Sequence, residues 1–173
     1  YGGEFAVGQD ADTGIVGGAL QIYSSGSSVN PFSISDITLS GTNNGCQNND
    51  DGRHVIWAEK SFIEIDNMDV PSGDFGVSLR SSAGSVTNSV INVDCNAIDV
   101  NGKKAVGSSS FEFLISDNEI TTTDGTGITA YSGALVFLQN NDIQGAGSRS
   151  GIEVYSSEVS IHGNDICRIE GYF

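Results

Sequence analysis

A short unit that recurs six times constrains the fold of this chain more than any other feature of its sequence. Each unit opens with an aliphatic residue and closes with another five positions later, and Asp, Asn or Gly lies two positions after the first. The units occupy residues 34–39, 65–70, 86–91, 115–120, 138–143 and 161–166, so successive units begin 21 to 31 residues apart. Repetition at this interval is typical of a solenoid, in which each repeat packs against its neighbours.

The local composition of the units indicates strands. They are short, rich in Ile, Val and Thr, and bounded by Gly, Ser, Asn and Asp, and no long stretch has helical apolar spacing. A straight strand would point the two aliphatic residues of a unit to opposite faces, so the chain must bend between them. We predict that the bend lies at residue types that tolerate a left-handed backbone. These residues are Asp36, Asn67, Asn88, Asp117, Asn140 and Gly163.

Two further columns complete the repeat. The residue after the predicted bend is Asn118, Asn141 and Asn164 in the last three units, and we expect these side chains to hydrogen-bond from repeat to repeat. A separate strand column precedes each unit, with aliphatic residues at alternate positions such as Ile98 and Val100. Each repeat is therefore predicted to contain a strand, a turn, a strand, a sharp bend, a strand and a loop.

This pattern resembles the right-handed parallel β-helix repeats of the pectate-lyase-like superfamily, including their asparagine ladder. The resemblance covers roughly residues 17–170 and concerns architecture. It implies an all-β fold, namely a single right-handed parallel β-helix (a solenoid) of about six to seven coils with an Asn/Asp ladder. We expect residues 1–173 to form one β-helix domain that is a fragment or a subunit of a longer or stacked assembly.

Charge and hydropathy exclude some classes of partner. Asp and Glu number 22 against 7 Lys and Arg, which gives a net charge of -15. We expect no nucleic-acid partner, because phosphate binding requires a basic face. We also expect no membrane insertion, because no apolar run approaches 18 residues. The first residues do not form a signal peptide, so the chain reads as a mature or excised product, and its composition is typical of an extracellular or cell-surface protein.

The three cysteines match no zinc-binding pattern. Cys46 and Cys95 both follow the third strand of their repeats, two repeats apart, so a disulfide between them requires the loop at 40–53 to fold back. Cys167 is then left over. It is either a buried apolar thiol or a residue that pairs with another chain.

The outward positions of the first strand column supply the candidate catalytic residues. We assign Ile56, Ser78, Asp99, Thr129 and Glu153 to these positions. Asp99 and Glu153 are then two strands, or about 10 Å, apart, which is near the upper end of the carboxylate separation in inverting glycosidases. Outward positions of a soluble strand are usually polar, so two acids among five need no functional explanation, and this is the stronger interpretation. The Gly-His-Gly and Arg-Ile-Lys motifs of the related polygalacturonases are absent, so we transfer no catalytic residue from that family.

Charged residues near this column are candidates for binding a sugar or a metal ion. Arg80, Lys103 and Lys104 are candidates for binding an acidic sugar. Asp50 and Asp51, in a loop rich in Asn and Gly, are the candidates for calcium, because hard cations prefer several oxygen ligands. A solvated acidic loop is the alternative interpretation, and no other cofactor is indicated.

The first functional hypothesis is an extracellular structural or adhesive β-helix module without chemistry of its own. Its partners would be other copies of itself, joined end to end in a fibre or filament, or adjoining domains of a longer chain that contact the ends of the rod. The alternative is a carbohydrate-active β-helix (a lyase, a hydrolase or an epimerase) or a glycan-binding domain, acting on an acidic polysaccharide. The missing motifs favour a protein that is not an enzyme.

Overall fold

Strands alone make up the regular structure of this computed structural model, which describes residues 20–41, 46, 54–102, 112–145 and 150–168. We number the successive repeats coils 1 to 6. Coil 1 contains β1 (Leu20–Tyr23) and β2 (Phe32–Thr38), and coil 2 contains β3 (His54–Glu59) and β4 (Phe62–Val70). Coil 3 contains β5 (Phe75–Arg80), β6 (Ala83–Thr87) and β7 (Val90–Val93), and coil 4 contains β8 (Ile98–Asn101), β9 (Glu112–Ser116) and β10 (Glu119–Thr122). Coil 5 contains β11 (Ile128–Tyr131), β12 (Leu135–Gln139) and β13 (Asp142–Gly145), and coil 6 contains β14 (Ile152–Tyr155), β15 (Glu158–His162) and β16 (Asp165–Arg168).

Strands pair in parallel with the equivalent strands of the neighbouring coils. The first sheet has the order β1-β3-β5-β8-β11-β14. The other ten strands form one sheet that is folded along the bend, and we call its two parts the second and third sheets. The second sheet contains β6, β9, β12, β15 and the first parts of β2 and β4, and the third contains β7, β10, β13, β16 and the last parts of β2 and β4. This arrangement confirms the predicted all-β parallel β-helix.

The register of the strands follows the repeat read from the sequence. The aliphatic residues that open the units pair in one column, Ile34, Ile65, Val86, Ile115, Leu138 and Ile161. The closing residues pair in a second column, Val70, Ile91, Ile120, Ile143 and Ile166. From coil 2 to coil 5 these side chains are fully buried, so both columns form the core of the solenoid.

Every predicted bend is confirmed by the backbone. Asp36, Asn67, Asn88, Asp117 and Asn140 have φ between 50° and 57°, and the glycine of coil 6, Gly163, has φ 68°. This left-handed conformation turns the chain between the second and third sheets, so both aliphatic residues of a unit face the core. Asn and Asp accept the conformation because their short polar side chains make local hydrogen bonds.

The asparagine ladder is also present, inside the bend. Asn118 Oδ1 accepts a hydrogen bond from the backbone N–H of Ser89 at 3.0 Å. Asn141 Oδ1 accepts from the backbone N–H and the Nδ2 of Asn118, at 3.1 and 2.9 Å, and Asn164 repeats both contacts toward Asn141 at 2.9 and 2.7 Å. The ladder therefore satisfies backbone donors that the bend removes from sheet pairing.

A second set of polar contacts lies outside the bend. Asn67 Nδ2 donates to Asp36 Oδ1 at 2.8 Å, and Asn140 Nδ2 donates to Asp117 Oδ1 at 3.3 Å. Asp66 accepts from Asn88 Nδ2 and Thr87 Oγ1, both at 2.7 Å. The amide of Asn88 and then the hydroxyl of Thr87 lower the pKa of Asp66 below its usual value, because both stabilise the ionised carboxylate.

The corner between the first and second sheets contains a serine ladder that the repeat did not reveal. The residue after the first-sheet strand has φ between 48° and 61° in five coils, at Ser24, Lys60, Ser81, Ser132 and Ser156. The serine that follows this residue accepts a hydrogen bond from the backbone of the preceding coil. Ser61 Oγ accepts from Ser25 N, and Ser82 Oγ accepts from Ser61 N, each at 3.2 Å. Both corners therefore combine a left-handed residue with a polar residue that is stacked along the axis.

Coils 1 and 6 differ in the burial of their inward residues. Leu20, Ile22 and Ile34 of coil 1 are 4–8% exposed. In coil 6, by contrast, Val154 is 42%, Ile161 is 52% and Ile166 is 47% exposed. The inward residues are therefore buried in coil 1 and largely exposed in coil 6.

Candidate functional site

The outer face of the first sheet carries two rows of side chains in register along the axis of the solenoid. The first row is Gln21, Trp57, Ser78, Asp99, Thr129 and Glu153. The second row is Tyr23, Glu59, Arg80, Asn101, Tyr131 and Tyr155. Four of the five predicted outward residues, Ser78, Asp99, Thr129 and Glu153, therefore lie in one row.

The prediction that Ile56 points outward is wrong. Ile56 pairs with Leu20 and Val77 in the inward column and is fully buried, and Trp57 takes the outward position. The residues from His54 to Ala58 are all buried, so the strand has no polar alternation from which the sequence could indicate which face is inward. Because of this error, Trp57 was not among the residues predicted for the candidate site.

A compact cluster forms around Trp57 and Asp99. The imidazole of His54 lies with its Nε2 3.6 Å from Asp99 Oδ2, and its ring centroid is 5.3 Å from the ring of Trp57. Asn96 Nδ2 donates to the other carboxylate oxygen, Asp99 Oδ1, at 3.2 Å. The guanidinium of Arg80 lies over the Trp57 ring, 4.1 Å from its centroid, in a cation–π contact.

Three polar atoms on this face are buried and have no hydrogen-bond partner among the residues that the structure describes. They are His54 Nδ1, Trp57 Nε1 and Thr129 Oγ1, and their residues are 3%, 7% and 8% exposed. Folded proteins pair nearly all buried donors and acceptors, because an unpaired one costs about 1–3 kcal/mol. A hydroxyl-bearing or carbonyl-bearing ligand could pair with these atoms only after the groups that bury them had moved aside.

The two candidate carboxylates are in different environments. Thr129 separates Asp99 from Glu153 in the row, so the two strands are about 10 Å apart. Asp99 is buried, and both of its oxygens have neighbours in His54 and Asn96. Glu153 is half-buried and accepts a hydrogen bond from the Tyr155 hydroxyl at 3.0 Å. Asp99 is therefore held by neighbouring side chains of the protein, whereas Glu153 remains partly accessible.

Half-exposed tyrosines mark both ends of the second row. Tyr23 in coil 1 is 50% exposed and its hydroxyl donates to Gln21 Oε1 at 3.4 Å, whereas Tyr155 in coil 6 is 56% exposed. Five strand spacings, or about 24 Å, separate them along the axis. The face is therefore long enough for an extended polymer that follows the solenoid.

The other predicted ligands fall partly outside the described residues. Arg80 is on the face, in contact with Trp57, but Lys103, Lys104, Asp50 and Asp51 lie in segments that the structure does not describe. Within the described ranges, no three His, Cys, Asp or Glu side chains are grouped as a metal site would require. Sequence reasoning missed His54 and Trp57, although Trp57 is the only tryptophan of the chain.

The structure joins Cys46 and Cys95 in a disulfide with a Cα–Cα distance of 5.4 Å. Cys46 follows coil 1 and Cys95 follows β7 in coil 3, so the bond ties together segments that are 49 residues apart. Cys167 is a free thiol on β16 and is exposed, which corrects the alternative of a buried residue. No helix in the part of the chain that the structure describes has the length and apolarity needed to cross a membrane.

Comparison with known proteins identifies the family. The description "right handed beta helix region" applies to the family that matches residues 53–172, which is more than half of the chain. No curated protein and no solved structure matches the chain. The parallel strands in curled sheets fit the architecture of pectate-lyase-like β-helices. The chain therefore belongs to the right-handed β-helix family.

Proposed function

We propose that this chain is an extracellular adhesive module that binds a polysaccharide along the outer face of the first sheet. The observation that carries the proposal is the group of buried, unpartnered polar atoms at His54, Trp57 and Thr129. Sugar hydroxyls both donate and accept hydrogen bonds, so they complement an indole N–H, an imidazole nitrogen and a threonine hydroxyl alike. The half-exposed rings of Tyr23 and Tyr155 add apolar surface for sugar rings.

The presence of Arg80 on this face favours a polysaccharide that contains an acidic sugar. Its guanidinium is planar and permanently charged, so it recognises a carboxylate with two parallel hydrogen bonds. The same face also carries Glu59, Asp99 and Glu153, and the whole chain has a net charge of -15. Long-range repulsion therefore opposes an acidic ligand, and we expect its binding to strengthen as salt screens that repulsion.

The disulfide supports the extracellular part of the proposal. Disulfides persist in oxidising environments and are rare where thiols are kept reduced. The bond between Cys46 and Cys95 is therefore what a secreted or surface-attached protein would carry.

Two conservative substitutions test the binding site. Thr129→Val removes the unpartnered hydroxyl and Trp57→Phe removes the unpartnered N–H, while both retain most of the packing. Since neither atom has a partner in the part of the chain that the structure describes, we expect unchanged or slightly higher stability together with about tenfold weaker binding, or ~1.4 kcal/mol. Calorimetry measures the affinity for two classes of sugar. The first is oligosaccharides of hexuronic acids, and the second is uncharged glucose oligomers.

Thr121→Val is the matched control, because Thr121 lies on the third sheet, away from the site. Failure of both sugar classes to bind the wild type would refute the proposal, as would equal affinity of wild type and Thr129→Val. Mass spectrometry of the sugars after incubation separates binding from catalysis. Shortened or unsaturated products would replace the adhesive module with the carbohydrate-active alternative, and Asp99 and Glu153 would then be its first catalytic candidates.

The exposed inward side chains of coil 6 favour a second candidate function, that of a structural subunit. Val154, Ile161 and Ile166 are largely exposed there, whereas their counterparts in coil 5, Ala130, Leu138 and Ile143, are buried. Because the described inward residues of coil 1 are buried, we expect coil 6 of one copy to meet coil 6 of another. Such an isologous contact stops at two copies and does not grow into a filament.

Light scattering over a range of concentrations tests this assembly. We expect a dimer for the wild type, favoured by salt because both copies are acidic, and a monomer for the double variant Ile161→Lys with Ile166→Lys. Val90→Lys, at an exposed position on the third sheet, is the control and should leave the dimer intact. A wild type that stays monomeric at every concentration would exclude the dimer, and filaments in electron micrographs would require contacts at both ends.

A further inference from the structure

An apolar patch lies on the outside of the second sheet, where the repeat places mainly polar residues. In β9 and β12 the inward residues Phe113 and Val136 are fully buried, and alternation directs Leu114, Leu135 and Phe137 outward. These three side chains are half-buried, and none of them packs against the buried core. They therefore contribute nothing to the interior of the solenoid.

The three side chains form one continuous patch. Leu114 on β9 pairs directly with Phe137 on the neighbouring β12, and Leu135 lies two residues before Phe137 on the same face of β12. Side chains directly opposite each other on neighbouring strands have Cβ atoms about 5 Å apart, so Leu114 and Phe137 are in contact range. Contiguous outward apolar residues of this kind mark interaction sites more often than isolated ones do.

Acidic residues frame the patch. Leu135 lies between Glu112 of β9 and Glu158 of β15 in register, and both glutamates are exposed. Ser85 and Ser160 continue the row of Leu114 and Phe137 on either side. Among the described outward residues of the second sheet there is no Lys or Arg, and Glu64 and Asp66 of β4 add two further carboxylates.

We propose that this patch docks a cationic protein segment that inserts one or two apolar side chains between Leu114, Leu135 and Phe137. Charge complementarity selects the occupant: the exposed glutamates beside Leu135 attract Lys and Arg, and they disfavour the equally acidic second sheet of another copy at this patch. The apolar area spans only two strands, so it accommodates a short segment and not the broad core of an obligate interface. This surface is separate from the polysaccharide site on the first sheet, and the two proposals stand independently.

Two synthetic peptides of equal charge test the proposal. One alternates Lys with Leu over nine residues, and the other alternates Lys with Ser over the same length. Calorimetry should show about tenfold tighter binding of the Lys/Leu peptide to the wild type, because only this peptide fills the apolar patch. The double variant Leu114→Thr with Phe137→Thr should bind both peptides equally weakly, and threonine preserves the strand propensity at these outward positions.

Val90→Thr provides the matched control, since Val90 is an exposed apolar residue between Asp69 and Glu119 on the third sheet. It should retain the preference for the Lys/Leu peptide, and circular dichroism should show that all variants fold. Equal affinity of the wild type for the two peptides would overturn the proposal, because binding would then depend on net charge alone. A self-association of the wild type that Leu114→Thr with Phe137→Thr abolishes would also overturn it, by making a second copy the occupant.

Discussion

Replacing Asn141 with alanine is expected to lower the free energy of unfolding by about 3 kcal/mol. Asn141 is 1% exposed and lies in the middle of the asparagine ladder. Its Oδ1 accepts from two donors of Asn118, and its Nδ2 donates to the carbonyl of Ile115 at 3.0 Å and to Asn164 Oδ1 at 2.7 Å. Alanine removes the side chain that pairs the donors of Asn118 and the carbonyl of Ile115, and both of these residues are buried.

Serine at the same position should recover part of the loss. In coil 3 the ladder residue is Ser89, whose Oγ accepts from the Met68 N–H at 3.1 Å and donates to the Thr87 carbonyl at 2.8 Å. Asn141→Ser should therefore fall between wild type and Asn141→Ala. Gln139→Ala, at an exposed outward position of the same unit, is the control and should change stability by less than about 0.5 kcal/mol.

Urea unfolding, followed by circular dichroism and by the fluorescence of Trp57, measures these effects. Trp57 is in coil 2 and the substitutions are in coil 5, so a common midpoint for both signals would show that the coils unfold together. Equal stabilities of Asn141→Ala and Gln139→Ala would mean that the ladder has no net role in holding the coils together.

Gly84→Ala is expected to be still more harmful, with a loss of about 4 kcal/mol, because backbone strain and overpacking add together. Gly84 has φ +135°, a conformation that residues with a Cβ rarely adopt. An added Cβ would overlap the carbonyl oxygen of Ile63 and lie 2.7 Å from its carbonyl carbon. These atoms belong to the backbone of β4, which cannot move aside without breaking its pairing with β6.

Gly145→Ala separates this effect from the general consequences of adding a methyl group. Gly145 has no positive φ, and the nearest atom to an added Cβ is Thr122 Oγ1 at 3.6 Å, an ordinary contact. We expect Gly145→Ala to be neutral or slightly stabilising, since alanine reduces the freedom of the unfolded chain. Thermal unfolding of the two variants provides the comparison, and similar melting temperatures would contradict the assignment of strain to Gly84.

The two glycines show that the effect of a single substitution can depend on contacts that the sequence does not reveal. Both lie within strands, and nothing in the sequence indicates that a substitution would be more harmful at one than at the other. Gly84 differs because its φ is +135° and because β6 approaches the backbone of β4 at that position, and this approach exists only after the coils have stacked.

The bends and the register could be predicted from the sequence because the solenoid repeats them. A residue at Asn67, Asn88 or Asn140 meets nearly the same neighbours in every coil, so one physical requirement recurs as one residue type at one position. The aliphatic columns recur for the same reason, since each must bury its side chain against the coil before and after it. Because the coils repeat, the requirements of packing one coil on the next appear in the sequence as a periodic pattern. The sequence by itself therefore determined the bends and the register.

The candidate binding face had no such signal, and only the tertiary structure decided it. His54 and Asp99 are two coils apart, and their contact depends on side chains that occur once and do not recur. The orientation of Trp57 was hidden because its strand is buried on both faces, which removes the alternation that separates inward from outward residues. The fold is thus determined by interactions that every coil repeats, whereas the candidate site depends on individual residues that meet only when the coils are stacked.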